Sequence, residues 1–267
     1  MSAISPRPAA VTPAPPASRT EAFQAQLSAL YAHSQGSDHL FASPLGPFYS
    51  GGRHAWLPRF VFFGPYASDE SWRLAFLSGF DHRDLRAAQA LLRLVGRLAE
   101  NAEDGHGLNL SFFPLVDAAG HFLGVPPRML AATHWTRSAA PEIGLLEKDA
   151  RLRGYHGFIR IELALADDDM MTILVREPSG ILQAPDVELI SSEDTDPFPV
   201  RFERPAAGAA VTGGPLTVAD DLPFRPFELT LRIPPAWPDE IHDEAVSVIL
   251  TRFILRYCAL QAYGQHL

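Results

Sequence analysis

The chain has 267 residues, of which 47% are hydrophobic and 20% are charged, and this composition is typical of a globular protein. Its formal net charge of −9 argues against sequence-independent binding to nucleic acid, which needs a basic surface. The single cysteine, Cys258, excludes an intrachain disulfide and a cysteine-based zinc site. No apolar run reaches the roughly 18 residues that span a bilayer, and the first residues lack a secretory-signal pattern, so we expect a cytoplasmic protein without a membrane partner.

The N-terminal region predicts a tail followed by a helix. Residues 1–18 consist mainly of proline, alanine and serine, and such a segment buries too little apolar surface to offset the entropy of ordering it. Ser18 and Glu21 have the spacing of a capping box, which predicts a helix from there to about His33. Residues 19–267 show no internal repeat and no sign of a second core, so we predict one domain over that range.

A strand, a turn and a helix are predicted between residues 73 and 98. The apolar run 74–77 has strand length and ends at Ser78-Gly79, and four polar residues, 81–84, precede the helix. Ligands of open α/β sheets bind beyond the carboxyl ends of strands, so a site is expected at this turn. The simpler interpretation is that an aspartate here caps the helix. The apolar stripe of that helix is Ala88, Leu91, Leu92, Val95 and Leu98.

The other segments alternate between strand-like and helix-like patterns. Before the turn, residues 36–52 are predicted to be a loop and residues 57–63 a strand. After it, the sequence predicts a strand at 108–116, an irregular segment at 117–128 and a helix at 141–152. Strands are predicted at 157–165, 171–175 and 227–233, with short strands near Leu189 and Arg201. The last element is a helix at 239–263, whose apolar stripe is Ile241, Ala245, Val248, Ile249, Phe253, Tyr257 and Leu260. The alternation predicts an α/β three-layer sandwich, with helices on both faces of a mostly parallel mixed sheet.

Several catalytic motifs are absent from the sequence. It contains no G-x-S-x-G, no G-x-x-x-x-G-K-[ST], no G-x-G-x-x-G and no H-E-x-x-H. No two of its ten histidines lie at i, i+4 on a predicted helix.

Five stretches together resemble the zinc carboxypeptidases, and most closely the bacterial branch near succinylglutamate desuccinylase and aspartoacylase. Their order and spacing carry the resemblance, and they are residues 57–65, 73–95, 113–120, 141–147 and 226–231. The resemblance implies a His-x-x-Glu pair after the first core strand and a second histidine at the end of a later strand, which together hold zinc. It also implies a glutamate near the C-terminus as general base, and an Asn-Arg pair that holds the substrate carboxylate.

Carried over to this chain, every one of those positions is substituted. The His-x-x-Glu positions fall on Asp81 and Asp84, and the second histidine falls on Glu162. The Asn-Arg pair falls on Ala131 and Ala132, and the general base falls on Arg232. A shift of one residue would place His82 at the first ligand position. That shift would break the register of the following helix, so Asp81 is kept there.

The substitutions favour loss of the zinc chemistry. Three carboxylates would suit a hard cation such as Mg²⁺, Ca²⁺ or Mn²⁺ better than zinc, and without a metal they need another positive charge. Arg83 or Arg232 could supply it, and we expect Arg232 to form that ion pair. An arginine stays protonated, so Arg232 cannot act as the general base.

Two functional hypotheses follow. The first is a carboxypeptidase-like pseudoenzyme without zinc or another cofactor, with a scaffold role or with a small molecule or peptide bound in the former cleft. The alternative is a metal-dependent hydrolase of amide bonds, acting on peptide C-termini or N-acyl amino acids. It would hold Zn²⁺, Mg²⁺, Mn²⁺ or Ca²⁺ with the carboxylates of Asp81, Asp84 and Glu162 alone.

Overall fold

The computed structural model describes residues 18–128, 130, 138–164, 168–176, 198–203 and 226–264. Its helices are α1 (Arg19–Ser34), α2 (Arg86–Glu100), α3 (Ala118–Leu123), α4 (Pro141–Arg153) and α5 (Asp239–Gly264), with a short 3-10 helix at Ala102–Gly105. Its strands are β1 (Leu40–Ala42), β2 (Leu45–Ser50), β3 (Arg53–Leu57), β4 (Phe60–Phe63), β5 (Trp72–Leu77), β6 (Leu108–Phe113), β7 (Gly157–Leu163), β8 (Met171–Arg176), β9 (Val200–Glu203) and β10 (Phe227–Ile233). Within these residues, no helix has the length and apolarity to cross a membrane.

Eight strands form one mixed sheet, in the order β1-β4-β6-β5-β7-β10-β8-β9. The four central strands, β6, β5, β7 and β10, run parallel to one another. Strands β4 and β8 pair antiparallel with the two ends of this parallel block. Strands β2 and β3 form a separate antiparallel hairpin. The predicted mostly parallel mixed sheet is therefore confirmed, and the carboxyl ends of the central strands meet at one edge.

The sheet lies between two apolar layers because successive side chains of a strand point to opposite faces. Leu74 and Phe76 of β5 belong to a core with α1, α2 and α5. Ala75 and Leu77 of the same strand belong to a second core with α3, α4 and the β2–β3 hairpin. Helices therefore cover both faces, as the alternation of elements predicted.

Three local predictions are confirmed in detail. The five residues of the α2 stripe are all buried. Ser18 and Glu21 form the capping box, with the Ser18 N–H donating to the Glu21 carboxylate at 2.7 Å. Helix α4 begins at Pro141, and Gly154 ends it in the left-handed conformation. Local sequence rules therefore set these helix ends correctly.

Other local predictions were wrong or lie outside the described residues. Residues 36–52 are not simply a loop, because β1 pairs with β4 and β2 pairs with β3. Residues 117–128 contain α3, which Asp117 caps. Ile241 is 42% exposed, so it does not belong to the buried stripe of α5. Some predictions fall outside the residues that the structure describes. They concern the tail (residues 1–17), Leu189 and the side chains of Tyr257 and Leu260.

Candidate site at the carboxyl edge of the sheet

The turn after β5 is tied to the end of β6. Gly79 adopts a φ of +62°, and a Cβ at this position would lie 2.6 Å from the carbonyl oxygen of Pro114, so the turn requires a glycine. The Ser78 hydroxyl donates to the same carbonyl at 2.9 Å. The turn therefore holds residues 81–86 at the carboxyl edge, where a site was predicted.

Asp81 is paired with a neighbour on its own turn. Its carboxylate accepts from the backbone N–H of Arg83 at 3.0 Å and from its guanidinium at 2.5 and 2.9 Å. These hydrogen bonds lower the pKa of Asp81. The Arg83 side chain is 65% exposed, so this is a surface pair that water screens.

Asp84 is paired with Arg86 in the same way but in a more buried place. Its carboxylate accepts from the Arg86 backbone N–H at 3.1 Å and from the guanidinium at 2.6 Å, and Arg86 also donates to the carbonyl of Pro235 at 2.5 Å. Burial acts to raise the pKa of Asp84, but Arg86 outweighs it and the pKa is lowered. The capping interpretation holds in modified form. Leu85 is the N-cap, and Asp84 accepts from the first N–H of α2.

Glu162 lies beside Arg232, because β7 and β10 pair in register at these two residues. Its ion pair, however, is with Arg160, two residues earlier on the same strand. Both side chains of that pair are mostly buried, and the Arg160 guanidinium lies 5.0 Å from the centroid of the Phe80 ring. Within the described residues, Arg232 forms no salt bridge with Asp81, Asp84 or Glu162.

The expected ion pair of Arg232 was therefore wrong. Residues i and i+2 of a strand lie on the same face, so Arg160 and Glu162 are adjacent without any tertiary pairing. Asp81 and Asp84 are likewise neutralised by arginines two residues away in sequence. The cations that balance these carboxylates come from local sequence, not from β10.

The carboxylate-only metal group is not formed either. Asp84 and Arg86 lie on the side of α1 and α5, since Arg86 reaches Pro235. In the part of the chain that the structure describes, the group whose possible ligand atoms all lie within 4.8 Å of one another is Asp81, His82 and Asp117. The clamp positions, Ala131 and Ala132, lie outside the described residues.

A buried network on the α3 side escaped the sequence interpretation. Asp117 and Glu142 are fully buried, and the Nη2 atom of Arg128 lies 2.6 Å from a carboxylate oxygen of each. The Nδ1 atom of His82 lies 2.5 Å from Oδ2 of Asp117. Backbone N–H groups add to these contacts, with Ala119 donating to Glu142 at 2.9 Å. The network joins the turn after β5 to α3 and α4.

This network carries more negative than positive charge. Two carboxylates, Asp117 and Glu142, share the single guanidinium of Arg128. Burial acts to lower the pKa of Arg128, but its hydrogen bonds with Glu142 and Asp117 outweigh this and the pKa is raised. Asp117, Glu142 and Arg128 together carry a formal charge of −1, which a bound cation would balance.

His121 borders the network from α3. It follows Asp117 by four residues, which is one helical turn. Burial lowers the pKa of His121. Its Nε2 atom is buried without a hydrogen-bond partner within the described residues. His121 was not singled out in the sequence, because it falls in a segment predicted to be irregular.

One signal in the sequence marks this network, namely Gly120. A Cβ at this position would lie 2.1 Å from His82 Nδ1 and 2.5 Å from Asp117 Oδ2, so a larger residue would separate them. Gly120 belongs to the stretch 113–120 that carried the resemblance. The sequence interpretation did not place His82 at the first ligand position, because the helix register favoured Asp81. The structure brings both His82 and Asp81 to the site.

Comparisons with known proteins bear on the fold. No protein-family model matches the chain, and no curated protein matches its sequence. A metallo-carboxypeptidase from Burkholderia cenocepacia matches with a TM-score of 0.67 and 14% identity, over 92% of this chain and 70% of that one. Carboxypeptidase A from Helicoverpa armigera matches with 0.61 and 12%, over 92% and 74%. An aspartoacylase family protein from Mesorhizobium loti matches with 0.54 and 13%, over 80% and 67%.

These matches show that the chain has the fold of the metallo-carboxypeptidases, as the resemblance in sequence predicted. An aspartoacylase family protein is among the proteins that share this fold. At these identities the likeness is one of fold, and the function has to be argued from the site.

Proposed function

We propose that this protein uses the metallo-carboxypeptidase fold without the zinc-dependent hydrolysis of the family it resembles, and that it binds a small molecule or peptide at the carboxyl edge of its sheet. One observation carries the proposal. At each of the three positions where the resemblance places a zinc ligand, this chain has a carboxylate that is already paired with an arginine. These guanidiniums supply the positive charge that the metal supplies in the family.

Zinc does not fit these three positions. It favours nitrogen and sulfur ligands, and the two imidazoles that the family pattern requires are absent. Binding would also separate Glu162 from Arg160 and leave a buried guanidinium without its carboxylate. Breaking a buried pair in this way costs about 3–5 kcal/mol in proteins.

The general base is missing as well. The corresponding position is Arg232, half-buried at the end of β10. A guanidinium stays protonated at neutral pH and cannot take a proton from water. Among the described residues, these positions therefore supply neither the family's base nor its zinc ligands.

A hydrolysis assay tests the proposal. Tag-free protein is incubated with Zn²⁺, Mn²⁺ or Mg²⁺ and offered N-acyl amino acids and peptides with free C-termini, with an active carboxypeptidase as positive control. We expect no release of product above the buffer blank. Cleavage that requires the metal and stops with a chelator would contradict the proposal.

The competing proposal is a metal-dependent amide hydrolase. It requires Asp81, Asp84 and Glu162 to leave their arginines and converge on one ion, and another residue to replace the base at Arg232. The same assay decides between the two proposals, because only the hydrolase hypothesis predicts metal-dependent cleavage.

A further inference from the structure

We propose that Asp81, His82 and Asp117 hold a divalent transition-metal ion. The site lies on the α3 side of the turn and is displaced from the positions that carry zinc in the family. It shares only Asp81 with those positions, and the inference does not depend on the proposed loss of hydrolysis.

The ligand atoms are close enough to share an ion. One oxygen or nitrogen from each of Asp81, His82 and Asp117 lies within 4.8 Å of the other two. Ligand atoms around a tetrahedral zinc lie about 3.3–3.6 Å apart when the bonds are about 2.0–2.2 Å long. His82 Nδ1 and Asp117 Oδ2, at 2.5 Å, would separate by about 1 Å to admit the ion. His82 is partly exposed on a turn, so it has room to move outward.

Hydrogen bonds fix the orientation of the Asp117 carboxylate, as they do for metal ligands in proteins. Its Oδ1 atom accepts from Arg128 at 2.6 Å and from the Gly120 N–H at 3.3 Å, which leaves Oδ2 directed at His82. Arg128 is in turn fixed by the buried carboxylate of Glu142. Partners of this kind orient ligands and strengthen metal binding.

His121 lies outside this group of ligand atoms. Its ring packs edge-on against Phe23, with the ring centroids 5.3 Å apart. The three ligands of the proposed site are therefore Asp81, His82 and Asp117.

The donor set and the charge both favour a transition metal. One imidazole beside two carboxylates suits Zn²⁺ or Co²⁺ better than Mg²⁺ or Ca²⁺, which prefer oxygen alone. The surrounding network of Asp117, Glu142 and Arg128 has a net charge of −1, which a cation would balance. Asp81 can turn toward the ion, because its pair with Arg83 is exposed and weak.

The test is a calorimetric titration of the tag-free, chelator-treated full chain with Zn²⁺, together with the visible absorption of the Co²⁺ form. We expect one ion per chain, and a loss of affinity of at least about 10- to 100-fold in His82→Gln. His106→Gln is the matched control, because His106 is an exposed histidine beside Glu103, and its affinity should equal wild type. Circular dichroism and thermal unfolding confirm that each variant is folded.

The proposal is overturned if wild type binds no stoichiometric ion, or if His82→Gln binds as tightly as wild type. The outcome is separable from the hydrolysis assay. Metal bound at this site without cleavage leaves both proposals standing, whereas metal-dependent cleavage overturns the proposed function alone.

Discussion

The two sides of the turn after β5 handle their acidic residues differently. On the side of α1 and α5, three aspartates each have their own arginine, in the pairs Asp84–Arg86, Asp239–Arg19 and Asp243–Arg93. On the side of α3 and α4, two fully buried carboxylates, Asp117 and Glu142, share Arg128, with His82 beside Asp117. Matched pairs need nothing further, whereas an unmatched buried charge attracts a proton or a cation. The comparison therefore places binding chemistry on the α3 side.

Arg128→Met should have the largest effect on stability. It leaves Asp117 and Glu142 buried without a cation, and removing one partner from such a network costs about 3–5 kcal/mol. The loss is measured by urea unfolding at pH 7. If Arg128→Met lowers the free energy of unfolding no more than Arg83→Met does, Asp117 and Glu142 do not need the positive charge of Arg128.

Acid should weaken the α5 side through His242. This side chain is fully buried, and both ring nitrogens lack hydrogen-bond partners within the described residues. Burial, assisted by the charge of Arg86, lowers the pKa of His242 to about 4. The unfolded chain takes up this proton near pH 6.5, so its contribution to stability is complete above that pH. Up to about 3 kcal/mol is lost as the pH falls to about 4.

The variant His242→Leu isolates this contribution. The pH dependence of its unfolding free energy between about 6.5 and 4 should be shallower than that of wild type, whereas His106→Gln should keep the wild-type slope. Identical slopes in His242→Leu and wild type would mean that His242 is protonated in the folded protein.

Gly120→Ala should separate His82 from Asp117. The new methyl group would lie 2.1 Å from His82 Nδ1, and overpacking of this kind costs about 1–3 kcal/mol. Gly144→Ala is the matched control, because a Cβ there has no atom within 4 Å and alanine favours the helix by about 0.5–1 kcal/mol. Thermal unfolding should therefore shift in opposite directions in the two variants. A shift in the same direction would refute the crowding argument.

Arg83→Met should have the smallest effect. Arg83 is largely exposed, so its loss should leave the melting temperature within error of wild type. Arg86→Met should be clearly more destabilising, because Arg86 is mostly buried and also holds the carbonyl of Pro235. Equal losses of stability in Arg83→Met and Arg86→Met would contradict the expectation that the buried pair on this turn stabilises the protein more than the exposed one.

The sequence was most informative where structure is local. The α2 stripe, the capping box at Ser18 and the Pro141–Gly154 limits of α4 all follow from spacing within one turn or one helix. The fold followed from the order of the stretches. Strand β1 was missed because three residues carry no period of their own and are ordered by pairing with β4.

The site was harder to predict because its contacts are long-range. The sequence located the turn, but His82 and Asp117 are 35 positions apart, so no local pattern reveals their contact. The ion pair expected of Arg232 failed for the opposite reason. It was a long-range guess where a local partner, Arg160, was already available to Glu162. Gly120 was the one local sign that two side chains needed room.

A zinc titration of Glu162→Gln beside His82→Gln tests the central claim most directly. We expect Glu162→Gln to bind zinc as tightly as wild type, because Glu162 is paired with Arg160 and is not a ligand of the proposed site. We expect His82→Gln to lose most of the affinity for zinc. Loss of binding in Glu162→Gln with full binding in His82→Gln, or no binding by the wild type, would contradict it.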